Sequence, residues 1–457
     1  MTIETAIDRL RQRFGQRLTT SEAEREAHGQ SESHFPVTLP DAVVYPESTA
    51  EVAELVEICA AEDCPLIGWG AGTSLEGHGL AVRGGVTVDF SRMAQVLELR
   101  PEDMVVRVQP GITRERLNEE LRATGLFFPV DPGANASIGG MAMTRASGTT
   151  AVRYGTMRDN VAALELVTAA GDVIRTGTAA RKSSAGYDLT ALFVGSEGTL
   201  GLVTELTLRL HGQPEAVSTA VCAFPSTGAA VEAVVEAVQS GLPMARIELV
   251  DAATAEAVNA YSNADFPALP HLFVEFHGAP NAVAEEAARF EEIARDNGAE
   301  TIRKATEAEE RSRLWHMRHS AYWAILASRP GSRAIVTDVC VPISRLAEAI
   351  AATQEDLAAE GLAGPILGHV GDGNFHAILL LDGSEAERAA AERVNARMVE
   401  RAQQMGGTAT GEHGIGMGKL KHMQAEHGAG WAMMGAIKRA LDPRDLFNPG
   451  KVVPQEG

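Results

Sequence analysis

His369 and His376 stand seven residues apart in LGHVGDGNFHAILLL, residues 367–381, on either side of Gly371, Asp372, Gly373 and Asn374. Imidazole binds transition metals and moves protons near neutral pH, so the spacing bears on chemistry. A helix would put positions i and i+7 on one face, but two glycines in three residues make a poor helix interior. Strand, turn and strand is the better reading, because Gly, Asp and Asn tolerate the positive φ of a tight turn. With those four residues as the turn, Val370 pairs with Phe375 and His369 stands opposite His376. Their Cβ atoms would then lie about 4.5–5.5 Å apart on one face. Two imidazoles would converge as two ligands of a metal do. The plain alternative is a hairpin carrying two polar residues of no special role.

The elements that must hold this hairpin come from a chain of 457 residues, enough for two or three domains. A net charge of −21 argues against nucleic acid or an anionic membrane as main partner, and it requires that an anionic substrate be held by a few local cations. Cys59, Cys64, Cys222 and Cys340 form no CxxC pair, which points to a reducing compartment. The first residues lack an apolar signal core and are not acid-poor, and no apolar run reaches the ~18–20 residues of a membrane span. A cytoplasmic protein is expected, with peripheral attachment to a membrane partner left open. After an N-terminal helical segment (1–35), a glycine-rich region of strands and helices runs over 36–213 as a first domain. It includes a capped helix in ESTAEVAELVEICAAED, with Ser48 or Thr49 as N-cap, and a strand, glycine loop and strand from Cys64 onward. From about residue 214, long Ala/Glu helices alternate with short strands, an α+β pattern extending to 422. A segment from 423 to 457 closes the chain.

GWGAGTSLEGHG, residues 68–79, has the backbone freedom of an anion cradle. It does not open a helix within a βαβ unit, so the nicotinamide-type fingerprint fails on context. Two further small-residue stretches, 130–161 and GSEGTLGLVTE at 195–205, suggest a large flat dinucleotide wrapped by loops; a plain glycine-rich turn is the alternative for the first loop taken alone.

These segments, with the terminal FNPGK, resemble the flavin domain of the vanillyl-alcohol oxidase / p-cresol methylhydroxylase superfamily. GHVGDGNFH together with GTATGEHGIGMGK (407–419) narrows the resemblance to its D-2-hydroxyacid dehydrogenase branch: FAD-dependent, cytochrome-type D-lactate dehydrogenases, then glycolate oxidase flavin subunits. It runs from about residue 36 to 453. It implies an α+β protein: a two-subdomain FAD-binding domain of the p-cresol methylhydroxylase type, plus an α+β cap domain with an antiparallel sheet. It implies FAD contacts from Trp69, Gly70, Ala71, Gly72, Thr73, Ser74, Gly77 and His78 in the first loop. Pro132, Gly133, Ser137, Ile138, Gly139, Gly140, Ala146, Ser147 and Gly148 follow in the second, with Glu197, Gly198, Val203 and Asn448 beyond them. Arg145 stands where relatives have a small residue. His78 is not at the loop position of the histidine that attaches flavin in some members, so noncovalent FAD is expected.

The same resemblance makes Glu412, in GEHG, a third ligand beside His369 and His376 for a divalent zinc, manganese or iron ion. It makes His413 the general base that takes the substrate hydroxyl proton while hydride passes to flavin N5. Arg318, in LWHMRHSAYWA, becomes the cation for the substrate carboxylate. Asp372 or Asn374 could orient a ligand imidazole, or simply form the turn; His316 and His319 are read as packing residues. Relatives acting on a dicarboxylic acid carry polar groups at the places of Ile378 and Val336, so a small monocarboxylic D-2-hydroxy acid, D-lactate foremost, is expected, with Ile378 lining its pocket. Glycolate oxidation is the near alternative, and a metal-dependent hydrolase the rival from another class. No haem or cluster motif is present, so electrons must pass to an external acceptor: cytochrome, quinone or an electron-transfer flavoprotein. A homodimer is compatible with the sequence.

Overall fold

Short β-branched runs punctuated by glycine and helices capped by Ser, Thr and Asp account for most of the elements. The computed structural model describes residues 2–31 and 33–455. They fall into two units: Met1–Ser147 with Gly155–Gln213 and Glu412–Gly457, and Gly148–Tyr154 with Pro214–Gly411.

The first unit holds two main sheets. Strands β1 (Leu18–Thr19), β2 (Ala42–Val44), β3 (Leu66–Trp69) and β4 (Val86–Asp89) form the first, in the order β1-β2-β4-β3. β2, β4 and β3 run parallel and are covered by the helix Thr49–Ala61. Ser48 caps that helix by accepting from Glu51 N. Val52, Leu55, Val56 and Cys59 recur at helical spacing and pack on Val86 and Val88. The next strands are β5 (Val96–Arg100), β6 (Val105–Val108), β7 (Leu126–Phe127), β8 (Val161–Val167), β9 (Val173–Gly177), β10 (Leu202–Arg209) and β11 (His211–Gly212). β7 pairs with β11, and the others form an antiparallel sheet in the order β5-β6-β10-β8-β9.

The second unit is built on one antiparallel sheet of β12 (Ala216–Ala223), β13 (Met244–Val250), β14 (His271–Gly278), β15 (Thr301–Ala305), β16 (Arg333–Val336), β17 (Val339–Cys340), β18 (Ile366–Gly368) and β19 (Asn374–Leu381). The order is β15-β12-β14-β13-β18-β19-β16, with β17 also on β19. β19 is buried along its whole length, because helices cover both faces. Phe375, Ala377, Leu379 and Leu381 enter the core with helices Thr227–Gln239, Pro280–Asp296, Leu346–Glu360 and Glu385–Gln404. Ile378 and Leu380 enter the opposite cluster with Val258, Leu314, Trp315 and Ile325. Among the described residues, no helix is long and apolar enough to cross a membrane.

Candidate active site

The second face of the cap sheet is where the apolar pattern breaks. Side chains alternate along a strand, so Arg246, Glu248 and Val250 of β13 share a face with His271, Phe273, Glu275 and His277 of β14 and with His376 and Ile378 of β19. His369 and His376 meet there, ring centroids 5.7 Å apart and planes at 81°. Each offers a ring nitrogen within 4.8 Å of the other's.

The register differs from the hairpin expected above. Leu367 pairs with His376, which sets His369 opposite Asn374 rather than His376. The turn therefore spans residues 370–373, closed by Asn374 N donating to His369 O at 3.3 Å. The slip is two residues, an even number, so both histidines keep the same face and meet as diagonal neighbours.

Both imidazoles are held by Nδ1. His376 Nδ1 lies 2.9 Å from Thr337 O, and a carbonyl only accepts, so the proton is on Nδ1. His369 Nδ1 donates to Glu248 Oε1 at 2.7 Å. In each ring the nitrogen that can serve a metal is therefore Nε2, the tautomer a ligand histidine needs. Asn374 gives its amide to Asp338 Oδ1 (2.7 Å) and Val339 O (2.8 Å), so Glu248 and Thr337 are the groups that orient the imidazoles. Asp338 is fully buried and also accepts from Thr410 Oγ1 (2.6 Å) and Gly411 N (2.9 Å). It thereby fixes the last residue before Glu412.

Glu248 is the residue that sequence reasoning missed. It is wholly buried, and its second oxygen accepts from Arg318 Nη2 at 2.6 Å. Burial would raise this carboxyl, but the charges of His369 and Arg318 and the hydrogen bonds from both hold it below the usual range. One carboxylate thus ties a metal-ligand candidate to the carboxylate-binding candidate. The signal was present: in MARIELV, Glu248 and Arg246 interrupt an otherwise apolar strand. Ile378 is buried and directly opposite Val336, so the two aliphatic positions form one cross-strand pair. His316 and His319 are exposed on their helix, with His319 6.0 Å from Trp315.

The first unit holds all the expected cofactor residues except Gly148. A Cβ on Gly70 would stand 2.1 Å from Ser137 Oγ, so the first loop lies directly on the turn Ser137 to Gly140. Ser137 caps the helix Ile138–Thr144, while Ile138, Gly139, Ala146 and Val203 are buried. His78 Nε2 lies 3.1 Å from Glu197 Oε2. The Glu197 carboxylate also accepts from Ile415 N and Gly416 N, each at 2.7 Å. Burial opposes its ionisation, yet His78 and these N–H groups hold its pKa below the usual range. Asn448 Nδ2 donates to His78 O (3.1 Å) and Glu197 O (2.7 Å). His78, Glu197 and Asn448 therefore use their side chains to bind four chain segments together. Gly133 and Gly198 have open space where a Cβ would stand, the room backbone amides need to approach a ligand closely. Gly148 belongs to the second unit. Arg145 ends the helix Ile138–Thr144 in the left-handed conformation (φ 54°) and donates to Val194 O at 3.0 Å, which gives it a structural role. Ser147 Oγ donates to Glu412 Oε2 at 3.1 Å within the first unit.

Two family models match the chain. Residues 40–177 match the model of an FAD binding domain, and residues 213–452 that of the C-terminal domain of FAD linked oxidases. The chain is 49% identical over 443 residues to the probable mitochondrial D-lactate dehydrogenase of Danio rerio, covering 95% of this chain and 89% of the relative. It is 45% identical over 452 residues to the mitochondrial D-lactate dehydrogenase (cytochrome) of Arabidopsis thaliana, covering 98% and 80%. Its fold is similar to a solved p-cresol methylhydroxylase with substrate bound, at a TM-score of 0.79 and 17% identity, over 98% of this chain and 96% of that one. With both family models matched in order along one chain, this protein belongs to the FAD-linked oxidases and is a flavin-dependent oxidoreductase.

Proposed function

We propose that this enzyme oxidises a small D-2-hydroxy acid, D-lactate foremost, to the 2-oxo acid with noncovalent FAD and one divalent metal ion. The observation that carries this reading is Glu248, one buried carboxylate orienting both His369 and Arg318. A 2-hydroxy acid presents a hydroxyl and a carboxylate on adjacent carbons, and this arrangement supplies a metal ligand and a guanidinium side by side. The names of the relatives support D-lactate and a cytochrome as electron acceptor.

His369, His376 and Glu412 are the proposed metal ligands, a nitrogen and oxygen donor set that suits zinc, manganese or iron. Glu412 follows Gly411 directly, and Gly411 is anchored to Asp338 beside His376. When bound, the metal supplies Lewis acidity toward the substrate hydroxyl and FAD supplies a hydride acceptor. Arg318 binds the substrate carboxylate through the donors that Glu248 does not use. His413 takes the hydroxyl proton. Ile378 and Val336 offer no partner for a second carboxylate, which selects monocarboxylic acids.

The test is anaerobic mixing of the purified protein, expected to be yellow, with D-lactate, L-lactate and glycolate. Bleaching of the flavin by D-lactate, lost after metal chelation and restored by Zn²⁺ or Mn²⁺, is the expected result. Bleaching by glycolate alone would replace the substrate assignment, and bleaching unaffected by chelation would remove the metal. The cytoplasmic placement read from composition is proposed against the mitochondrial names of the relatives, and fractionation of the native cell decides between them.

A further inference from the structure

Residues ahead of position 40, where the match to the FAD binding domain begins, are built into the first sheet. β1 pairs with β2, and between those strands the chain passes through the short helix Glu22–Ala27 to His28. His28 is buried, at 6% exposure. Its Nδ1 lies 2.8 Å from Glu24 O and its Nε2 lies 2.9 Å from Asp89 Oδ2. A carbonyl only accepts, so Nδ1 carries a proton. The contact between Nε2 and Asp89 also contains a proton, and imidazole is the stronger base of the two groups. Asp89 Oδ1 accepts from Ser91 N at 2.7 Å, which favours the carboxylate further. Both ring nitrogens therefore donate, and His28 is an imidazolium. Burial opposes that charge, yet Asp89 and the Glu24 carbonyl outweigh it and raise the His28 pKa above its ordinary value. The charges nearby are Asp89 on β4 and Glu24 on the helix before His28. Tyr45 Oη donates to Glu24 Oε2 at 2.8 Å, and the Arg92 guanidinium stands over the Tyr45 ring.

The imidazolium also meets Trp69, with ring centroids 5.0 Å apart and planes at 52°, within the range of a cation–π contact. Trp69 ends β3 as the register partner of Asp89 and opens the glycine loop. That loop is folded around its own indole. A Cβ on Gly72 would stand 2.7 Å from Trp69 Cζ2, and one on Gly79 would overlap the same ring at Cζ3. The loop backbone is seated on Trp69 at both places, so a group that fixes the indole fixes the loop.

We infer that His28 is a positioning residue for FAD binding: its imidazolium, locked between Glu24 O and Asp89, holds the Trp69 indole about which residues 69–79 are folded. The segment before residue 40 is then part of the cofactor site without touching the cofactor. The inference rests on the reading of this loop as an FAD contact.

The experiment uses the full chain, stripped of FAD and titrated with it. Flavin fluorescence gives the Kd, and proton–nitrogen NMR of histidine-labelled protein gives the protonation of each ring. The wild type is expected to show an imidazolium signal at pH 8 that disappears in His28→Phe. Loss of a hydrogen-bonded charge is worth roughly 10–100-fold, and His28→Phe is expected to weaken FAD binding by that factor. Asp89→Asn can still accept from Ser91 N while its amide donates to a neutral His28 ring. It is expected to remove the Nε2 proton, keep the contact and weaken FAD binding roughly tenfold. Leu10→Ala opens the core under the N-terminal helix away from the loop, and is expected to lower the denaturation midpoint with the Kd unchanged. A neutral His28 ring in the wild type, or a wild-type Kd in both His28→Phe and Asp89→Asn, overturns the inference. Equal loss of FAD affinity in Leu10→Ala and His28→Phe also overturns it, since general destabilisation would then account for both. Gly72→Val, which drives a side chain into the indole, tests the underlying reading. A wild-type Kd there would remove the loop from the FAD site, while the NMR result would still decide the charge on His28.

Discussion

At the scale of single residues, the site depends on how few groups do two things. Glu248 holds both His369 and Arg318, so Glu248→Gln keeps the shape but removes the charge that fixes both. Loss of such an outer partner typically weakens metal binding about 10–100-fold. The variant is expected to show that loss by metal titration, with a raised KM for D-lactate and unchanged FAD content. Unchanged metal affinity and KM would reduce Glu248 to a core ion pair. His413 is placed differently, in the glycine-flanked GEHG stretch. If it is the base, His413→Asn should still bind substrate while flavin reduction slows about 10²–10⁴-fold in stopped-flow. A variant reducing its flavin at the wild-type rate would transfer that role to another group.

At the scale of elements, the hairpin of β18 and β19 decides geometry and specificity. Gly373 sits at φ +79° with Val341 O only 2.0 Å from where a Cβ would be. Gly373→Ala therefore forces the turn apart, with a cost of at least about 1–3 kcal/mol. Chemical denaturation should register it as a lower midpoint, together with weaker metal retention because His369 immediately precedes the turn. Farther along β19, Ile378 faces Val336 across the strands. Double replacement Ile378→Asn with Val336→Lys supplies polar partners for a second carboxylate. It is expected to shift kcat/KM from D-lactate toward D-2-hydroxyglutarate. No gain on the diacid would show that this pair does not meet the substrate.

For the whole molecule, each unit contains a buried glutamate held ionised. Glu197 in the first unit and Glu275 in the second are both resisted by burial. Glu197 is nonetheless lowered by His78 and two backbone N–H groups, and Glu275 by His277, Arg246 and Thr219. A depressed folded pKa stabilises the protein above the unfolded value, near 4.5, and that stability is lost as pH falls through the lower folded value. The predicted outcome is a fall in denaturation midpoint below about pH 4.5, with Glu197→Gln less stable at neutral pH and less sensitive to acid. Parallel pH curves for wild type and variant would contradict it.

What was legible in the sequence were features that adjacent residues determine. Ser48 before an apolar helical stripe and a glycine-rich turn between the two histidines each follow from backbone conformation and burial over a few residues. Together they marked the strands, the glycine loops and the histidine pair, and the long motifs marked the family. Tertiary structure alone decided the rest. The two-residue slip in the hairpin arises because Val370 is buried and enters the turn, which no local propensity reveals. Glu248 lies 121 residues from His369 and 70 from Arg318; the sheet order β13-β18-β19 brings the first two onto one face, and the helix Ala308–His319 packed on that face delivers Arg318. A buried charge costs too much to stand alone, so its partners had to exist. Their identity was a matter of folding, since burial and pairing across such separations are set by how strands pack and not by which residues are neighbours in the chain.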